Sequence, residues 1–511
     1  MAAREIFRRI LGFLALASFI AIFTVRNGFF AQDFHISNDT PFYVSMPGFA
    51  AGPSLSNFSS KGVSPGLGLF LAAATLGKLP RPNAITFTYC GKSVIMESRP
   101  CDQMKPEPGD IMAQNPPTVF FFQRETADQL QQVITSAKIL LIASFVALYF
   151  AMTAWLDPFL AAAVAIALWW LSVPVEPGAL DVVMTECLFP TLLFLYAAAA
   201  MTSLSFRNAF WPLLASALVF YIFIVKQSLI YIVAIQIVLL GWLGWRRSLS
   251  AATVASLPLV LGFGWFMLFS PTVYLSQTNR LSEALRVAIL SDETTVACIP
   301  DTDSKTIIRA YMYSAYFSGG VPPLDGIHND IERYVALGQA NAYRLNLRGH
   351  PIYADPAIRP FLTREGELSP DKATRAMHEA AACNWRRDLK FAALVSQMVF
   401  GLLPSPTPKI FQPRFFFAPY VFWLSVIALC AALSLAILRD DIRRAAIIAG
   451  LAAIHIVYVA VVAFKQGGES RYIMVTEPAF VLALLFALAF LVETMLGWAK
   501  RELLQKITAP R

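Results

Sequence analysis

The chain has 511 residues, 57% of them hydrophobic and only 14% charged, with a mean hydropathy of +0.57. Such values exclude an ordinary soluble domain, in which about 25% of residues are charged, and make a bilayer the expected solvent. The net charge of +8 does not point to nucleic acid, because Lys and Arg stand in short segments beside apolar runs rather than in one basic block.

Crossing a hydrocarbon core of roughly 30 Å takes about 20 predominantly apolar residues as a helix. The first such run, Ile10 to Val25, follows Arg4, Arg8 and Arg9 and is not succeeded by a small-residue cleavage site, so it reads as a retained helix that starts in the cytoplasm. Further spans are expected at Ile139 to Trp155, Phe159 to Val173, Met184 to Leu204, Ala209 to Val225, Ser228 to Trp245 and Ala251 to Ser270. Pro419 to Leu438, Ala445 to Phe464 and Ile473 to Trp498 complete an all-α polytopic membrane protein of about ten helices. On this count Arg207, Arg246, Arg247, Arg439, Arg443, Arg444, Lys500 and Arg501 share the side of the basic N-terminus, as the positive-inside rule requires.

The expected organisation is a first helix over 1–25, an outer loop over 26–138, a six-helix bundle over 139–270, a second outer loop over 271–418, three last helices over 419–498 and a cytoplasmic tail over 499–511. Cys90, Cys101, Cys298 and Cys383 fall in the two outer loops, whereas Cys187 and Cys430 fall in apolar runs. Disulfides persist in an oxidising compartment, which suits the outer assignment. Cys90 with Cys101 and Cys298 with Cys383 are the favoured pairs of three possible pairings.

Within the first loop, Gly62 to Gly77 is apolar but too short to span comfortably, and Pro65 should begin an interfacial helix there. Ala84 to Cys90 reads as a short strand. Arg124 to Lys138 is amphipathic, is expected along the membrane surface, and leads directly into the second span. In the second loop, Ser282 to Ile289 and Asp330 to Asn346 read as helical, and Asn384 to Leu403 as an interfacial helix.

Chemistry is suggested first by Asp33-Phe-His35-Ile-Ser-Asn-Asp39-Thr-Pro-Phe-Tyr43, just outside the first span. A carboxylate partly desolvated beside an apolar interface can serve as a general base on a hydroxyl. The plainer reading is that Asp39, before Thr-Pro, caps a helix. The second segment is Glu469-Ser-Arg471-Tyr472, before the last span, where Arg471 offers a planar fork for phosphate and where an interfacial anchor is the alternative. Lys226, between two apolar runs, could meet an anionic headgroup or snorkel. Glu186 and Glu477 are ionisable groups in expected spans, and need a partner or a function. His455, alone in an apolar helix, reads as a core residue. A divalent metal has no signature here, since no two histidines have ligand spacing. Walker, Rossmann and nucleophile-elbow motifs are absent from the sequence.

Taken in order, the Asp39-x-x-x-Tyr43 pattern in the first loop, Thr185-Glu186 at a span start, Lys226 at an outer helix end and Arg471-Tyr472 before the last span resemble the GT-C superfamily of membrane glycosyltransferases. That superfamily includes protein mannosyltransferases and the aminoarabinose and arabinofuranosyl transferases of bacterial envelopes. Val63-Ser-Pro65-Gly66 is similar to its proline-bearing loop segment, while Asn38-Asp39 replaces its more usual acid pair.

The resemblance implies a polyprenyl-phosphate-sugar donor, a glycan, lipid or protein acceptor, and contact with membrane lipids but not nucleic acid. By the same resemblance, Asp39 is the base, with Asp33 as reserve, while Lys226 and Arg471 neutralise the donor phosphate. His35, Tyr43, Glu186, Glu469 and Tyr472 line the substrate site. The reaction inverts the anomeric centre on the extracytoplasmic face, and the Ala-rich helices point to a bacterial inner membrane. A transporter or lipid flippase is the alternative, although no internal repeat supports it.

Overall fold

In the computed structural model, the described residues are 2–30, 65–76, 85–89, 111–115, 118–122, 124–173, 188–206, 208–226, 229–246, 248–269, 291, 293–317, 356, 359–361, 370–383, 396, 419–466 and 476–508. The chain divides into two compact units, one of Met1–Ser270, Thr407–His455 and Met474–Arg511, the other of Pro271–Pro406 and Ile456–Ile473.

The first unit is predominantly helical. Helix α1 (Ala2–Arg26) starts earlier than the apolar run because the basic residues before it are also good helix formers. It ends where Gly28 takes φ 56° and the Phe29 amide donates to the Thr24 carbonyl, a left-handed cap that glycine adopts without steric cost. Helix α2 (Pro65–Ala74) begins at the expected proline.

Strands β1 (Ile85–Tyr89), β2 (Ile111–Asn115) and β3 (Thr118–Phe122) form an antiparallel sheet of order β1-β3-β2. β1 coincides with the strand expected at Ala84 to Cys90. Its partners are additions to the all-α expectation: β3 pairs with β1 from Ile85↔Phe122 to Tyr89↔Thr118, and with β2 from Ile111↔Phe122 to Asn115↔Thr118.

Helix α3 (Arg124–Met152) joins the amphipathic segment and the second span into one helix of 29 residues. There is therefore no separate surface helix at 124–138. Leu130, Val133 and Ile134 are buried in the protein. Helix α4 (Pro158–Ser172) is started by Asp157, whose side chain accepts the Phe159 amide, with proline at the first helical position. Then follow α5 (Phe189–Ser205), α6 (Phe210–Val225), α7 (Tyr231–Arg246) and α8 (Leu249–Phe269). Later in the chain come α12 (Pro419–Leu438), α13 (Ile442–Gln466), which counts with the first unit as far as His455, and α14 (Glu477–Thr508), the last carrying helix well into the expected tail. Asp440, at φ 58°, makes the turn between α12 and α13.

Among the described residues, four stretches, Ala3–Arg26, Asp128–Met152, Ile442–Val462 and Glu477–Lys500, are long and apolar enough to cross a membrane. The apolar helices α4 to α7 are shorter, at 15–17 residues. At 1.5 Å per residue, 17 residues reach only about 26 Å, slightly under the hydrocarbon thickness.

Helices in lipid associate by close packing and small residues rather than by escape from water. A methyl group at Gly12 would lie 2.5 Å from the Tyr149 hydroxyl and 2.9 Å from the Pro158 carbonyl oxygen, so α1 crosses the α3–α4 turn with backbone nearly in contact. Beyond that crossing, buried Trp169 packs edge-on against Phe145 at 4.8 Å and against Phe23 at 5.9 Å between centroids.

The second unit contains helices α9 (Glu293–Cys298), α10 (Thr302–Phe317) and α11 (Pro370–Cys383). They enclose Val296, Ile299, Ile307, Ile308, Ala376 and Ala380. The disulfide Cys298–Cys383 closes this module across 85 residues of sequence, as expected. Cys90 and Cys101 lie outside the described residues, as do 282–289, 330–346 and most of 384–403.

Candidate functional site

Lys226 is where the described structure reaches the expected site. Helix α6 stops there because the residue is extended (φ −147°, ψ 101°), its amide donating to the Ile222 carbonyl at 2.8 Å. The Leu229 amide then donates to the Lys226 carbonyl at 3.0 Å, which carries the chain towards α7. The lysine is half-buried, with Nζ 5.5 Å from the Phe189 ring centroid, a cation-π distance. Phe189 is the first residue of α5, three positions after Glu186.

A third element completes this corner. A methyl group on Gly66 would fall 2.5 Å from Val225 Cγ2, 2.6 Å from Val225 N and 2.7 Å from the Ile224 carbonyl carbon. The first turn of α2 thus lies against the backbone of the last turn of α6, where only glycine fits. Tyr221, one turn before the end of α6, donates its hydroxyl to the Gly66 carbonyl at 3.0 Å. Phe189 and Tyr221 escaped sequence reasoning, whereas Gly66 was singled out there within the Val63-Ser-Pro65-Gly66 segment but without its contact to α6.

A second lysine was also missed. Lys138, expected only as the edge of an outer loop, is 1% exposed. Its Nζ donates to the Phe29 carbonyl and lies 4.9 Å from the Phe29 ring centroid. It therefore ties α3 to the end of α1, four residues in sequence before Asp33. Asp33, His35, Asp39, Tyr43, Glu186, Glu469, Arg471 and Tyr472 lie outside the described residues.

Other polar groups are buried within the helices. The His455 Nδ1 is 3.1 Å from the Thr476 hydroxyl, and its ring packs tilted on Phe480, in keeping with a core role. Glu477 begins α14 at 7% exposure, with no hydrogen-bond partner for Oε2 among the described residues. Gln236 donates to the Ser216 hydroxyl at 2.9 Å. Among the described residues, no group of three His, Cys, Asp or Glu side chains could hold a metal.

The other end of the bundle is rich in arginine. Arg8 pairs with Asp157. Arg444 lies 3.5 Å from both Asp441 and Glu493 and donates to the Trp155 carbonyl. Arg439 donates to the Thr494 hydroxyl at 3.2 Å, and Tyr149 donates to the Arg9 carbonyl at 2.7 Å. Compared with family models, curated proteins and solved structures, the chain matches none.

Proposed function

We propose that this chain is an inverting membrane glycosyltransferase that moves a sugar from a polyprenyl-phosphate donor to an envelope glycan, lipid or protein acceptor on the extracytoplasmic face. The observation that carries this reading is the seating of Lys226, a cation at a helix end beside the start of α5 and the first turn of α2. Those are the chain segments next in sequence to Glu186 and to the proline-bearing loop. A donor phosphate at this corner would have its charge compensated by Lys226, with Arg471 as the second cation. Asp39 would take the proton of the acceptor hydroxyl as that oxygen displaces polyprenyl phosphate from the anomeric carbon. The Cys298–Cys383 disulfide supports placing the second unit in an oxidising compartment. A bacterial inner membrane with a periplasmic site is part of the same reading, as is the crossing of the bilayer by all ten apolar helices.

A transporter or lipid flippase is the second reading, favoured by Gln236, His455 and Glu477, which are polar yet buried within apolar helices. One reconstitution separates the two. Protein in vesicles supplied with polyprenyl-phosphate sugars and candidate acceptors should release polyprenyl phosphate in proportion to acceptor glycosylated. Movement of intact donor between leaflets without release would replace the first reading by the second.

A further inference from the structure

At the arginine-rich end of the first unit, a cavity of about 260 Å³ opens between α6, α7 and α8. Asn208, Arg246 and Ser248 form its polar wall, and Pro212, Leu243 and Ala251 its apolar part. Among the described residues, no Asp or Glu lines it. Asn208 Oδ1 already accepts the Phe210 amide at 2.8 Å, which leaves the side-chain NH2 to donate. Arg246 lies with its guanidinium carbon 5.8 Å from the Trp245 ring centroid and has no acidic partner among the described residues. The wall therefore supplies hydrogen-bond donors and a positive charge without a carboxylate to neutralise it, a chemistry that selects an anion.

Surroundings and size narrow the class of anion. Trp245 is 86% exposed, as befits a side chain of the interfacial aromatic belt. Trp242, one turn back, carries the Arg443 guanidinium 5.6 Å from its ring centroid. A mouth flanked by such tryptophan and arginine side chains suits headgroup depth. On the same two helices, Val238 on α7 and Leu257, Val260 and Leu261 on α8 are exposed apolar side chains that can meet acyl chains. The volume is below the roughly 300–1,000 Å³ of whole-ligand pockets, so the cavity suits one headgroup, with the lipid tails outside.

We propose that this cavity binds the phosphate headgroup of an anionic phospholipid from the adjoining leaflet, with Arg246 as its principal ligand. The site is separate from the Lys226 corner and independent of the proposed enzymatic function.

The test is native mass spectrometry of the full chain, released from detergent with phosphatidylglycerol, phosphatidylcholine or inorganic phosphate. The wild type should retain phosphatidylglycerol in preference to phosphatidylcholine. Arg246→Gln should weaken that retention about fivefold or more, while Arg246→Lys keeps most of it. Ala251→Leu, which fills the cavity and leaves every charge in place, should weaken it as well, and this variant decides the matter if Arg246→Gln does not fold. Equal retention of the two lipids, binding of inorganic phosphate without lipid, or undiminished retention in Ala251→Leu would overturn the proposal.

Discussion

The two ends of the helical bundle are built differently. At the arginine-rich end, side chains from elements far apart in sequence meet by charge and hydrogen bond: Arg8 with Asp157, and Arg444, which also pairs locally with Asp441, with Glu493 and the Trp155 carbonyl. At the Lys226 end, helices meet by backbone approach, with Gly66 pressed on Val225 and Tyr221 reaching back to the Gly66 carbonyl. Removing charge should therefore loosen the first end, whereas adding volume should deform the second. The first change would alter stability, the second the site.

The second unit provides the largest expected effect, because the small helices described there, α9 to α11, are held by a covalent bond. In the chain-entropy view, a disulfide that closes 85 residues stabilises by about 4.6 kcal/mol. Replacing Cys298 and Cys383 with Ser should lower the melting temperature of this unit and expose its 293–383 region to protease, measured by limited digestion. Unchanged digestion would show that the helices hold without the bond.

At the arginine-rich end, Arg444→Ala leaves Glu493, Asp441 and the Trp155 carbonyl without their common donor. A loss of about 1–3 kcal/mol is expected, read as a lower melting temperature in detergent with donor affinity preserved. The reverse pattern is predicted for Gly66→Ala, in which a methyl group must displace α2 from backbone atoms of α6 at a cost of about 1–3 kcal/mol. That displacement should weaken donor binding in an equilibrium assay more than it lowers the melting temperature. If the two variants behave alike, the contrast between the ends fails.

The smallest effect concerns the N-terminus of α10. There Asp301 accepts from both the hydroxyl and the amide of Ser304, at 2.8 and 3.0 Å, and these bonds hold its carboxyl below the usual carboxylate range. A carboxyl with a lower folded than unfolded pKa contributes stability that is fully present above the unfolded value, about 4. The contribution is lost as pH falls through the lower folded value. Melting of the second unit should therefore decline more steeply below about pH 4 in the wild type than in Ser304→Ala. Parallel declines would contradict this role.

Much of the bundle was legible because an apolar run favours a helix, which satisfies its own backbone: an apolar helix lies within or across the described part of each expected span, and four of them are long enough to cross a membrane. Local chemistry was legible too. Pro65 starts α2, β1 lies at the expected strand, and Cys298 pairs with Cys383. What escaped is set by contacts between distant residues. β2 and β3 need each other and β1 to exist, and nothing beside Gly66 in sequence announces Val225. Lys138 looked like a loop boundary because a run of apolar neighbours does not show that a carbonyl four residues before Asp33 will accept its charge. Of the site itself, Lys226 has a described environment, and the reading of its anionic partner rests on the order of motifs in the sequence.

Asp39 carries the central claim. With the full chain in a bilayer, polyprenyl-phosphate sugar as donor and acceptor in excess, glycosylated product should form with the wild type and fall by about 10²–10⁴-fold with Asp39→Asn, while donor binding persists. Product formation by Asp39→Asn at the wild-type rate would contradict the account.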